Sequence, residues 1–241
     1  TPNAHYRQTK AALERGLHVL IEKPMTFTAR EAMELVDLAA AKNLHFLLSG
    51  PWHYSTHALE ARQLIASGAM GQLKMISIMM TSACLALYQG LPMHGSKRYA
   101  EPGITSYCDP ALAGGGQIYC QVSHAAAFMA FLTGCEPVEV YARFDNHDCG
   151  VDVHNTLNIK LDDGTLVSLA STGASTGPRN HEVRAFGTDG MLFLDLFLGT
   201  MCYWDGSGTA HVYPDLDDLK RYDRCAPTKN LVDLVRGEAD N

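Results

Sequence analysis

Apolar positions at Tyr6, Ala11, Ala12 and Leu13, with Gly16 placed as a C-cap, predict a helix over residues 4–15. The unbroken apolar run at 17–21 suits a short strand of a parallel sheet, covered on both faces. Thr28, with Glu31 three residues on, carries a capping-box pattern and opens a helix reaching Lys42, after which 44–49 returns as a second buried strand. Gly50-Pro51 then punctuates the chain. Beyond it the pattern predicts a helix over 56–67 closed by Gly68, a strand over 74–82, an aperiodic loop over 86–113 and a helix over 117–133. Further strands are predicted at 137–145, 153–161, 165–172, 181–187, 190–196 and 200–204. Turn signals at Asp162-Asp163-Gly164-Thr165 and Thr188-Asp189-Gly190 predict that these strands pair antiparallel as hairpins. Residues 230–241 read as the beginning of another helix and loop. The predicted organisation is an α/β unit at 1–50 followed at 51–241 by an α+β domain with a large open, mainly antiparallel sheet. Strands at 166–170 and 191–197 are apolar on both faces, which predicts a protein partner on the sheet's open face, a homodimer first of all.

Composition keeps this picture within ordinary globular proteins: 46% of the 241 residues are hydrophobic and 19% charged. A net charge of -7 argues against nucleic acid or an anionic membrane as partner. No stretch reaches the ~18 apolar residues of a membrane span, and no signal-peptide pattern opens the chain. Seven scattered cysteines, an odd number, favour reduced thiols and a cytoplasmic setting over a disulfide framework.

Candidate chemistry begins at Glu22-Lys23-Pro24. Pro24 forbids the strand from continuing, so Lys23 is a cation at the carboxyl end of a strand, the side on which open α/β sheets bind ligands. A second segment, Gly114-Gly115-Gly116-Gln117-Ile118-Tyr119-Cys120-Gln121-Val122-Ser123-His124, opens a helix after three glycines that allow close backbone approach. Steps of three and four residues put Gln117, Cys120 or Gln121, and His124 on one helix face, expected to point into a crevice. His147, Asp148, Asp152 and His154 match no zinc or calcium spacing, so hairpin-turn polarity is the better account and no metal site is predicted.

The run TPNAHYRQTKAALERGLHVLIEKP resembles the second half of the nucleotide domain in the glucose-fructose oxidoreductase, inositol dehydrogenase and MocA (Gfo/Idh/MocA) family, in which TPN-x-x-H precedes a helix and E-K-P follows a strand. LIASGAMGQL resembles that family's turn into its first sheet strand, and the triple-glycine segment resembles its G-G-G-x-L-x-D-x-G-x-H. The resemblance implies that residues 1–50 are the remnant of a Rossmann domain. No G-x-G-x-x-G occurs in the chain, so it is expected to be a fragment, short by on the order of 70 residues at its front and incomplete at its end.

The resemblance further implies that Thr1, Pro2, Asn3, His5, Glu22, Lys23 and Pro24 border NAD or NADP, and that Lys23 and His124 are catalytic at a substrate hydroxyl. Substrate contacts are expected at His53, Tyr54, Gln117, Cys120, Gln121, His124 and Arg179, with weaker expectations at Arg98, Tyr107, Asp109, Asn180 and His181. His57 is expected to be structural. The implied activity is an NAD(P)-dependent oxidation or reduction at a CH–OH group of a sugar, polyol or related small molecule, by a homodimer or homotetramer built through the open sheet. The sequence departs from the family pattern where Cys120 takes the Asp position, Val122 the Gly, and Ala127 a second Asp. Without that carboxylate the usual relay is not intact. An NAD-dependent glycosidase or lyase, and a non-catalytic sugar-binding or assembly protein, are therefore the alternatives. Cys120 itself is expected to pack rather than to react.

Overall fold

The computed structural model describes residues 1–92 and 106–239; Arg98 and part of the loop anticipated over 86–113 lie outside the described residues. A 3-10 turn at Pro2–Ala4 leads into α1 (His5–Glu14), β1 (Val19–Ile21), α2 (Ala29–Ala41) and β2 (Phe46–Leu48). β1 and β2 pair in parallel, and Leu13, Leu35 and Ala39 fill the small core between α1 and α2. The capping box is formed: Thr28 Oγ1 accepts from Glu31 N, and the Thr28 N–H donates to the Glu31 carboxylate.

A second 3-10 turn, Pro51–Tyr54, starts the larger unit, which continues through α3 (Thr56–Ala66), β3 (Leu73–Thr81), α4 (Leu85–Tyr88) and α5 (Pro110–Ala113). A π-helical turn at Ile118–Val122 runs into α6 (Ser123–Thr133). Then come β4 (Pro137–Asp145), β5 (His154–Leu161), β6 (Leu166–Thr172), β7 (Asn180–Gly187), β8 (Gly190–Asp195), β9 (Thr200–Asp205) and β10 (Ala210–Val212), closed by α7 (Asp218–Arg221) and α8 (Ala226–Arg236). The last seven strands and β3 form one eight-stranded sheet in the order β10-β9-β8-β7-β3-β6-β5-β4.

All pairings in that sheet are antiparallel except β3–β6. The hairpins β4–β5, β5–β6, β7–β8 and β8–β9 follow their turn signals. β6 and β7 do not pair with each other, contrary to a simple hairpin series, because β3 lies between them. The Gly- and Pro-containing connection 173–179 is long enough to step across that strand. α3 and α6 lie on one face of the sheet, where Ala58, Ala61, Val122, Phe128 and Leu132 meet Ile76, Ile78, Leu169, Val183 and Leu194. Among the described residues, no helix packs on the opposite face. Met75 and Met79 of β3 and Leu166 of β6 lie on it at 45%, 41% and 57% exposure. The anticipated terminal helix starts at Ala226, four residues before the sequence pattern placed it.

Candidate functional site

The carboxyl end of β1 delivers Lys23 to the amino-terminal part of the α6 helix. Lys23 Nζ donates a hydrogen bond to the Cys120 carbonyl oxygen, inside the π-helical turn. A π turn widens the helix by one residue and presents backbone groups that a regular α-turn keeps to itself, a feature concentrated at functional sites. Pro2, Lys23 and Pro24 border the same small hollow as Gly115, Tyr119 and Cys120. Residues from both ends of the predicted site therefore meet.

The glycine segment is held in place by Asp152. Its carboxylate accepts from Gly116 N at 2.8 Å and Ile118 N at 2.7 Å, while its carbonyl accepts from Gln117 N at 2.8 Å. An anion at this helix start satisfies backbone donors that have no partner within the helix. Gly116 must be glycine, because a Cβ there would stand 2.0 Å from the Asp152 carbonyl oxygen. Sequence reasoning assigned Asp152 to turn polarity; only the fold shows that it caps the helix of the site.

The helix face that was expected to look into a crevice looks partly into the interior. Gln117 is fully buried, and its Oε1 accepts from Ser82 Oγ at 3.0 Å and Tyr88 OH at 2.8 Å, while its Nε2 donates to Ser171 Oγ at 2.7 Å. Its polar atoms are thus engaged within the protein, and it acts on the site as a brace. Cys120 is also buried, packed in the cluster of Cys84, Tyr88 and Val153. The Cys84 thiol donates to it, and with Lys23 close by and Gln121 Nε2 donating as well this pulls its pKa below the usual thiol range against the opposing effect of burial. Cys84, the other half of the pair, moves in the opposite direction and keeps its proton. Gln121 Nε2 lies 3.5 Å from the Cys120 sulfur and 3.8 Å from that of Cys84. The arrangement places thiolate character beside Lys23 at the position occupied by an aspartate in the family pattern.

His124 packs edge-on against Trp52, with ring centroids 4.9 Å apart. Burial first, then the charges of Lys23, His181 and His53, hold its pKa well below the usual histidine range, so the imidazole is neutral at neutral pH. His53 stacks on Phe131 at 4.8 Å, and burial lowers its pKa to about 4. Tyr54 OH accepts from Asn230 Nδ2 at 3.0 Å, which ties the 3-10 turn to α8. Neither His53 nor Tyr54 borders the Lys23 hollow. His181 is fully buried against Trp52 and Phe128, with no hydrogen-bond partner for either ring nitrogen among the described residues and a pKa lowered by burial to about 3. His57 packs in the structural role expected of it, bonded to the Pro214 carbonyl at 3.0 Å.

Other expected residues serve local structure. Thr1 and Asn3 join through their side chains at 2.7 Å, and His5 Nδ1 lies 2.7 Å from the Pro24 carbonyl, so the TPN-x-x-H turn holds the Lys23–Pro24 corner. Glu22 is exposed and, among the described residues, has no bond to Lys23. Asp109 caps α5 through Ala111 N at 2.9 Å. Arg179 is exposed in the 173–179 connection, where its charge reaches Cys84. Tyr107 lines the Lys23 hollow, and Asn180 opens β7 with its N–H on Thr81 Oγ1 at 3.1 Å.

Residues 58–193 match the GFO/IDH/MocA C-terminal domain, and residues 1–49 match the oxidoreductase family with an NAD-binding Rossmann fold. A D-xylose 1-dehydrogenase (NADP(+)) of Hypocrea jecorina is 29% identical over 195 residues, 77% of this chain and 48% of the relative. The chain therefore spans about half the length of that curated relative. An aldose-aldose oxidoreductase from Caulobacter crescentus, solved with glycerol, superposes with a TM-score of 0.75 at 21% identity, over 98% of this chain and 68% of that one. GenD2 from gentamicin A biosynthesis, solved with NAD, superposes with a TM-score of 0.76 at 19% identity, over 100% of this chain and 68% of that one. At these identities the solved structures establish the fold alone. No helix among the described residues is long and apolar enough to cross a membrane.

Proposed function

Because the chain belongs to the Gfo/Idh/MocA family of oxidoreductases, we propose that it oxidises or reduces a CH–OH group of a sugar or polyol with NAD or NADP. The observation that carries this reading is the meeting of Lys23 with the π turn at Cys120. Pro2, Lys23, Pro24 and Tyr119 would border the nicotinamide end of such a cofactor, beside a hollow of about 10 Å³ that has room for about one water as it stands. No G-x-G-x-x-G turn of the kind that holds a pyrophosphate occurs in the 241 residues, so residues of this chain are assigned to the nicotinamide end only. When bound, NAD(P) supplies the hydride acceptor or donor.

The chain's own part is to bind the hydroxyl and manage its proton. Lys23 donates a hydrogen bond to the substrate oxygen, stabilises the negative charge that develops there and exchanges the proton. His124, uncharged at neutral pH, orients the hydroxyl as a neutral hydrogen-bonding partner and leaves the cationic work to Lys23. Cys120 takes over the task of the missing aspartate by setting a negative charge against the ammonium. Residues 1–50 form the cofactor-side unit and 51–241 the substrate and assembly unit. The bare sheet face pairs with a second copy, as homodimer or homotetramer, in the cytoplasm. The xylose dehydrogenase relative favours an aldose as substrate.

The test is a panel of aldoses and polyols with NAD+ and NADP+, using protein expressed from its complete reading frame. Formation of reduced nicotinamide with retained product mass is expected for at least one aldose. Cleaved product without net reduction would replace this reading with lyase or glycosidase chemistry, and no reaction with any member would remove it.

A further inference from the structure

On the bare side of the sheet, away from Lys23, the β4–β5 hairpin gathers Asp145, His147 and His154. One carboxylate oxygen and one ring nitrogen from each histidine lie within 4.8 Å of one another. The spacing D-x-H-x6-H matches no familiar motif, which is why His147 and His154 read as turn polarity in the sequence. The sheet register assembles the group. Asp145 closes β4 directly opposite His154, which opens β5, and the two-residue step to His147 folds back over the pair with φ +47°.

We propose that Asp145, His147 and His154 form a binding site for a borderline divalent transition metal, Zn2+ foremost. Two imidazoles and a carboxylate are the donors this ion prefers, and three protein ligands leave a position for water. Ligand atoms around tetrahedral zinc stand roughly 3.4 Å apart at bond lengths of about 2.0–2.2 Å, so modest side-chain rotations close the group. A partner for the metal-binding histidine is already in place. His154 sits between Asp145 of β4 and Thr172 of β6, and its Nδ1 lies 2.9 Å from Thr172 Oγ1. In the tautomer whose Nδ1–H donates to Thr172 Oγ1, Nε2 carries the lone pair, the arrangement that orients a metal-binding histidine. The opposing charge nearby is Arg143, whose guanidinium lies 5.9 Å from the Tyr141 ring. A hollow of about 260 Å³, bordered by Met79, Arg143, Asp145, His154 and Thr172, leaves room for an ion beside the group.

The site would act as a structural tie. The loop 146–153, whose two ends the site ties together, carries two residues before His154 the Asp152 carboxylate that holds Gly116 N and Ile118 N. An ion on the outer side therefore fastens the loop that positions the glycine segment on the inner side.

The experiment is calorimetric titration of the untagged protein with zinc chloride alone, together with the visible spectrum of the Co2+ form. One saturable site with the absorption of tetrahedral Co2+ is expected. His147→Ala and His154→Ala should each weaken binding by about 100-fold or more, while Thr172→Val should cost the 10–100-fold typical of a group that orients a ligand. At zinc concentrations well above saturation Tm should rise by a few degrees in the parent and not in His147→Ala. His147 lies in an exposed turn, so its variant keeps the test sound if His154→Ala fails to fold. Binding that survives in His147→Ala, or that is lost instead in Asp162→Asn/Asp163→Asn at a second group formed by Cys135, Asp162 and Asp163, would overturn the assignment. So would the absence of saturable binding by the parent protein.

Discussion

The two faces of the eight-stranded sheet are cut from the same strands and differ less in composition than in surroundings. Along β3, Ile76, Ile78 and Met80 are at most 2% exposed beneath α3 and α6, whereas Met75 and Met79 on the alternate positions stand 45% and 41% exposed. Histidine follows the same division. His181 on the covered face is sealed among Trp52 and Phe128, while His154 on the bare face keeps a ring nitrogen available to an ion. Alternation along a strand assigns residues to two faces; what covers each face decides whether a side chain becomes core, reactive group or ligand.

The largest effect that separates the faces is catalytic. Lys23→Ala should lower turnover on the identified sugar by about two to four orders of magnitude, the range for a group that handles a proton in the transition state. Steady-state kinetics of the protein from its complete reading frame check this. Met75→Ala, on the other face, should leave turnover unchanged, and equal losses in both variants would erase the functional asymmetry.

A cavity on the covered face comes next. Ile78→Ala should cost about 2–5 kcal/mol of stability, because a 2% exposed side chain between sheet and helices leaves a space its neighbours cannot fill. Urea unfolding gives the value. A cost under about 1 kcal/mol would mean that the helices collapse onto the sheet freely and that the covered face is not a rigid core.

Acid should attack the covered face first. His181, with a pKa of about 3, and His53, with one of about 4, bind fewer protons in the folded than in the unfolded state, where the value is 6.5. Their contribution to stability is therefore complete above about pH 6.5 and is lost as pH falls toward their folded values. By about pH 4, His181 alone should remove about 3 kcal/mol. Urea midpoints between about pH 7 and pH 4 follow the loss, and His181→Leu should flatten the slope. An unchanged slope in that variant would show that some other group controls acid unfolding.

How much of this was legible in the sequence depends on how local the cause is. The strands from 137 to 205 were legible because each has its own alternation and turn, and the Thr28 capping box because its partners are three residues apart. The insertion of β3 between β6 and β7 was not legible, since pairing across nearly a hundred residues leaves no local trace. Lys23 and His124 stood out through their motifs. The π turn did not, because its causes lie in remote groups: Asp152 at the start of the helix and Lys23 at the Cys120 carbonyl. That turn and the Gly116 approach also explain why Gln117, placed by helical spacing on the same face as His124, reaches Ser82, Tyr88 and Ser171 in the interior. The Asp145, His147 and His154 group is legible only in the register of β4 and β5.

The smallest expected change in the folded chain itself is the one that best tests what covers the bare face. Met79→Glu places a charge at a position already 41% exposed, so the stability of the single chain should move by no more than about 0.5 kcal/mol. If a second copy covers the face, the same charge loses its water on pairing and finds no partner among Met75, Leu166 and their apolar neighbours, which disfavours association strongly. Light scattering should then report at least twice 26.3 kDa for the parent and a mass shifted toward a single chain for Met79→Glu. A parent that stays at 26.3 kDa at micromolar concentration would leave the apolar residues of this face facing water. The difference between the faces would then lie in helix cover alone, with no part for a second copy.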